Sequence, residues 1–147
     1  MKGYRSLLVG GLVLAGTGAM ARCNASEAYE AGARSTLRAI VVGQLTYSAT
    51  CGNGFYAPTL AALAKPKPGG QSGFIGDTDV PRPGTMVLDK HRYRIEMTAP
   101  ASPESPAGCS GVPAGQSSKT FSITARPDGV RAKSFSIDHE GNLSEIQ

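Results

Sequence analysis

Few of the features that mark a catalyst, a metalloprotein or a nucleic-acid binder occur in this chain of 147 residues. There are only two histidines, His91 and His139, each beside charged residues at an expected strand edge or turn. An imidazole placed there is better explained as a solvated side chain than as a catalytic base or ligand. No serine sits in a nucleophile-elbow sequence, and no glycine-rich phosphate loop opens a helix after a strand. The three cysteines, Cys23, Cys51 and Cys109, even with His91 added, lack the short paired spacing of a structural zinc site. Asp77 and Asp79 supply two carboxylates without the further ligands that calcium needs. The stretch from Asp138 to Asn142 resembles a partial ligand set but fits a turn better. No enzyme, cofactor or metal is expected.

Charge of one sign is also scarce. The net charge is +4, with lysine and arginine scattered along the chain instead of gathered on one element, which argues against a nucleic-acid partner. A hydrophobic content of 40% with 18% charged residues excludes extended disorder. The N-terminal apolar run extends only from Leu7 to Ala21 and is glycine-rich, short of the about 20 residues that cross a bilayer as a helix. Glycine and proline, at 19 and 10, are what the chain has in quantity, and they call for many turns and one long irregular segment. The length suits one domain, and no internal repeat is visible.

Lys2 and Arg5 precede the apolar run, which ends in Ala19-Met20-Ala21 before Arg22. A basic start, a short apolar middle and a small-residue site form the plan of a secretory signal. Cleavage between Ala21 and Arg22 is expected, giving a signal peptide over 1–21 and a globular domain over 22–147. If it is kept, residues 7–21 form a short membrane anchor. The expected location is periplasmic or extracellular, or at the inner membrane if the anchor stays. Arg22 before Cys23 argues against lipidation of that cysteine.

An oxidising compartment favours pairing of cysteines, and three leave one over. Cys51 and Cys109 both lie in Gly/Pro-rich loop sequence, where the backbone adapts to disulfide geometry, so a Cys51–Cys109 bond is expected.

Asn24 and Glu27 form a capping-box pattern that starts a helix near Ala25, running to about Ser48. Tyr29, Ala33, Leu37 and Ile40 share one face of it, with Val41 at the rim and Leu45 on the polar side. Pro58 is expected to open a short second helix to Ala64, anchored by Leu60 and Leu63. A long loop follows from Lys65 to Gly84, with Phe74 and Ile75 as its core contacts. Met86 to Leu88 is a weak strand signal. Tyr93, Ile95 and Met97 alternate with polar residues, as do Phe121, Ile123 and Ala125, which is strand periodicity. Arg126-Pro-Asp-Gly turns into a returning strand from Val130 to Ile137, and His139-Glu-Gly-Asn turns again before Leu143 and Ile146. The fold class is α+β: a long N-terminal helix packed on a three- to four-stranded antiparallel sheet.

Two runs carry a resemblance. Arg34-Ser-Thr-Leu-Arg-Ala-Ile followed by Gln44-Leu-Thr-Tyr-Ser-Ala-Thr-Cys-Gly-Asn-Gly-Phe-Tyr-Ala-Pro-Thr-Leu-Ala-Ala-Leu-Ala resembles the end of the long helix and the first loop of type IV pilin-like proteins. Lys133-Ser-Phe-Ser-Ile-Asp-His-Glu-Gly-Asn-Leu is similar to their terminal hairpin. The likeness covers about residues 27–64 and 119–146. It implies a pilin-like roll and a non-enzymatic structural or interaction protein, a minor pilin or pseudopilin, whose partners are other proteins of a pilus or secretion system. The N-terminus departs from that family. Leu8 stands where a prepilin carries glutamate, and the apolar run is short, which suits a second reading as a soluble periplasmic binding or adaptor module that shares the fold and never enters a filament.

Overall fold

The computed structural model describes residues 25–76 and 87–146. Helix α1 spans Ala25–Thr50. Its buried stripe holds Ala33, Leu37, Ile40, Val41 and Tyr47, and Tyr29 packs half-buried at its start. The stripe follows the helical repeat, so one side of α1 can lie along an apolar surface. Asn24, the expected cap, lies outside the described residues. Leu45 and its neighbour Val42 are exposed, as expected for the side of the wheel where Leu45 falls.

Helix α2, Leu60–Ala64, starts later than expected. Thr59, not Pro58, sets its beginning. Thr59 is extended, at φ −144°, and its side-chain oxygen accepts the Ala62 N–H, so Thr59 is the cap and Pro58 precedes it. Leu60 and Leu63 are fully buried, and Ile75 and Phe74 join the same core. Phe74 closes on α2 through its N–H to the Leu63 carbonyl, 2.7 Å.

Five strands follow: β1 Val87–Lys90, β2 Tyr93–Thr98, β3 Ser122–Pro127, β4 Ser134–Asp138 and β5 Leu143–Ile146. They pair in chain order as one antiparallel sheet, one strand more than the upper expectation. The weak signal at Met86 to Leu88 becomes β1, an edge strand in register with β2. Tyr93, Ile95 and Met97 pair with Pro127, Ala125 and Ile123, and Ala125 and Ile123 with Phe135 and Ile137. Except for Pro127 these residues are buried, so one sheet face meets α1 while serine, threonine, glutamate and arginine occupy the other. Each fully buried Leu or Ile contributes about 1.5–3 kcal/mol relative to exposure, so this seam is the main source of stability.

The returning strand of the expected hairpin begins at Ser134, four residues after Val130. Backbone groups in the connection have partners other than a β ladder. The Lys133 carbonyl accepts the Tyr93 hydroxyl at 2.6 Å, the Lys133 N–H donates to Glu30 of α1, and the Asp128 N–H donates to the Arg92 carbonyl. These bonds tie two turns and the start of α1 together at one end of the sheet. Burial pushes the Tyr93 phenol above its ordinary value, with Glu30 adding to the effect and Arg34 opposing it.

At the other end of the sheet the long β2–β3 connection crosses beside the C-terminus of α1. Tyr56 and Ser118 exchange backbone hydrogen bonds there, an isolated bridge that ties the segment after α1 to the end of this connection. Among the described residues no helix is long and apolar enough to cross a membrane.

Candidate interaction site

The C-terminal end of α1 and the segment after it are held by a buried amide, an aromatic contact and a disulfide. Gln44 is fully buried, and its amide works in both directions on one residue. Its Oε1 accepts the Ala57 N–H at 2.8 Å and its Nε2 donates to the Ala57 carbonyl at 3.0 Å, with Met97 Sδ at 3.1 Å. A carboxamide can satisfy a peptide N–H and C=O together, so Gln44 takes the place of a neighbouring strand.

One turn later, Tyr47 is fully buried against Phe74, edge to face at 5.3 Å. Its hydroxyl lies beneath Gly108, where an added Cβ would overlap it. Gly52 is equally constrained, since a Cβ there would collide with the Phe55 carbonyl. Among the described residues the Tyr47 and Ser117 hydroxyls, both buried, have no partner at good hydrogen-bond geometry. Burial pushes the Tyr47 phenol up, and the nearby Ser117 hydroxyl opposes this more weakly.

Cys51 and Cys109 form the disulfide expected from their loops, with Cα atoms 5.1 Å apart. The bond fixes the end of α1 to the β2–β3 connection. The Cys109 N–H also donates to the Cys51 carbonyl, and the Gly108 N–H to the Val112 carbonyl, so the corner is closed on itself. Ser110 and Gly111 take positive φ, 61° and 75°, which turns the chain sharply back toward α2.

Between that turn and α2 lies an open groove of about 320 Å³. Thr59, Ala61, Ala62 and Lys65 form one wall and Val112, Pro113 and Gln116 the other. The lining is mostly apolar, with Thr59, Lys65 and Gln116 as its polar side chains. Lys65 spans one end, its Nζ donating to the Ser110 carbonyl at 3.0 Å. Ser110 answers from the opposite side, its hydroxyl donating to the Pro66 carbonyl at 3.1 Å.

The other residues singled out from sequence are scattered. His91 is exposed in the β1–β2 turn with its ring against Gly32, whereas His139 is half-buried in the β4–β5 turn beside Tyr56 and Phe121. The two imidazoles sit at opposite ends of the sheet. Asp138 organises its own turn: Oδ1 accepts the Glu140 and Asn142 N–H groups, and Oδ2 accepts the Asn142 amide. Those bonds hold its carboxyl below the ordinary value, the Asn142 side chain most strongly. Among the described residues no three His, Cys, Asp or Glu gather to hold a metal. Ala21, Arg22, Cys23, Asp77 and Asp79 lie outside the described residues.

Sequence reasoning missed the groove and the buried role of Gln44. Gln44 follows the apolar repeat of α1, at four residues beyond Ile40, and a polar residue in that position is the signal that could have found it. The groove has no local signal, because its walls are brought together by the disulfide. No family model, curated protein or solved structure matches this chain.

Proposed function

We propose that the chain is an exported, non-enzymatic structural or interaction protein of the type IV pilin-like kind, a minor pilin or pseudopilin, working through contacts with other proteins of a pilus or secretion machine. One observation carries this proposal. The run from Gln44 to Ala64, which bears the resemblance, is used as a single built corner: Gln44 holds residue 57, Gly52 admits the Phe55 carbonyl, Cys51 ties the β2–β3 connection, and Thr59 caps α2. Each of these residue types therefore has a packing or hydrogen-bonding reason to be there. A long helix laid on an antiparallel sheet is also what a pilin-like roll requires. The disulfide fits an oxidising compartment outside the cytoplasm.

A soluble periplasmic binding or adaptor module is the second proposal. It is favoured by Leu8 at the prepilin glutamate position and by the short apolar run.

The full chain, expressed in a bacterium and separated into membrane and soluble fractions, tests both by intact mass with and without reduction and thiol alkylation. A soluble species beginning at Arg22, with one alkylatable thiol before reduction and three after, supports export and the adaptor. A membrane-bound species beginning at Tyr4, as prepilin-type cleavage after Gly3 would leave it, supports assembly into a pilus or secretion machine. Full-length chain with three free thiols in the cytoplasm would defeat both proposals.

A further inference from the structure

We infer that the groove between α2 and the 109–116 turn binds a short segment of a partner protein in which a carboxylate side chain neighbours apolar residues, the carboxylate meeting Lys65. This uses only the groove and its charges, and it goes beyond the proposed pilin-like identity.

The first support is charge. Residues 58–65 and 111–116, which supply both walls, contain Lys65 and no aspartate or glutamate. Glu104, the acidic residue flanking the β2–β3 turn, is engaged by Lys119. Among the described residues that line it, the groove is thus an apolar slot with Lys65 as its one charged side chain, complementary to an apolar anion. An ammonium has three donors, and Lys65 gives one to the Ser110 carbonyl. That bond holds Nζ at the end of the slot with the others directed elsewhere, so less side-chain entropy is lost on binding.

Size and the remaining polar groups select a peptide. A slot of about 320 Å³ lies at the small end of ligand sites, enough for one or two side chains. Thr59 accepts from the Ala62 N–H, which leaves its hydroxyl hydrogen to donate, and the Gln116 amide supplies a donor and an acceptor on the facing wall. These match the backbone carbonyl and N–H of an extended segment. An acyl chain has neither group.

The full chain, with its disulfide intact, is titrated by ¹⁵N NMR with an acetylated and amidated pentapeptide in which leucine and proline flank one aspartate. The same peptide with asparagine, and hexanoate, serve as comparisons. Saturable shifts at Ala61, Ala62, Gly111, Val112 and Gln116 are expected from the aspartyl peptide. Because an exposed ion pair is weak, the asparagine twin should bind roughly two- to fivefold less tightly. Lys65→Gln should show the same loss, Lys65→Arg should restore binding, and Ala61→Glu should abolish it. Equal affinity for both peptides, shifts confined to other surfaces, or no saturable shift at millimolar peptide overturns the inference. Tighter binding of hexanoate than of the aspartyl peptide also overturns it, in favour of a lipid ligand.

Discussion

Replacing Gln44 by glutamate converts a buried amide clamp into a pH-sensitive one. When protonated, the introduced carboxyl can reproduce both bonds, its carbonyl oxygen accepting the Ala57 N–H and its O–H donating to the Ala57 carbonyl. When ionised it has acceptors only, so it faces the Ala57 carbonyl and Met97 Sδ with like polarity in a site with no exposure. Burial and lost donation therefore raise the folded-state pKa of the introduced carboxyl above its unfolded value. Between the two pKa values the folded chain keeps the proton and the unfolded chain has lost it, so stability falls as pH rises. The slope is about 1.4 kcal/mol per pH unit above the unfolded value of roughly 4.3, until the folded carboxyl ionises.

Gln44→Leu removes the clamp at every pH and leaves two buried backbone groups unpaired, each costing about 1–3 kcal/mol, partly offset by the apolar side chain. Urea unfolding followed by circular dichroism at pH 4 and pH 7, with the native chain as reference, separates the cases. The Gln44→Glu variant should be near native at pH 4 and clearly weaker at pH 7, and the Gln44→Leu variant should lose about 2–4 kcal/mol at both. A Gln44→Glu deficit of equal size at the two pH values, or a Gln44→Leu variant as stable as the native chain, would refute the clamp.

Reducing the Cys51–Cys109 bond, or replacing both cysteines by serine, should cost about 4 kcal/mol because the bond spans a 58-residue separation, and thermal unfolding with and without reductant measures it. Gly108→Ala should destabilise by about 1–3 kcal/mol by forcing the Tyr47 ring aside. In a Tyr47→Phe background the same substitution should cost less, so a double-mutant cycle in denaturant should show clear coupling. Tyr47→Phe alone should be neutral or mildly stabilising, since it removes a buried hydroxyl that has no well-formed hydrogen bond among the described residues. The depressed pKa of Asp138 means that its turn stabilises the fold above the unfolded carboxylate value and loses that contribution as pH falls through the folded one. The gap between native chain and Asp138→Ala should therefore narrow in acid, as read from unfolding curves at pH 6 and pH 2.5.

Period and composition made the helix, the alternation of β2, β3 and β4, and the disulfide legible, because each is written in a few neighbouring residues. Leu37 and Ile40 announce the buried face of α1 without reference to anything it touches. The start of α2 was misplaced because Pro58 and Thr59 both fit a helix start, and only the hydroxyl bond to Ala62 decides between them. Val130 to Lys133 looked strand-like locally, but Tyr93, Glu30 and Arg92, all distant in sequence, engage its backbone and that of Asp128 before it. The groove was hidden for the same reason: α2 and Val112 are more than forty residues apart, and the bond that joins their surroundings says nothing about the shape it makes.

The sheet itself is poorly suited to receive a partner strand. Among the described residues β1 and β5 are the outer strands of a five-stranded meander, each four residues long. Short edges offer little template for pairing. On β5, Glu145 stands opposite Phe135 on the helix-facing side and pairs with Lys133 at 2.9 Å. An exposed ion pair on that edge strand must be partly desolvated when another strand is added, a recurrent device against edge-to-edge association. The outward sheet face is polar, with Ser136 and Ser144 bonded to each other across β4 and β5. The groove beside the disulfide instead combines, among the described residues, an apolar lining with one lysine held at its end, which is the surface that the proposed peptide would bury and the group that it would meet.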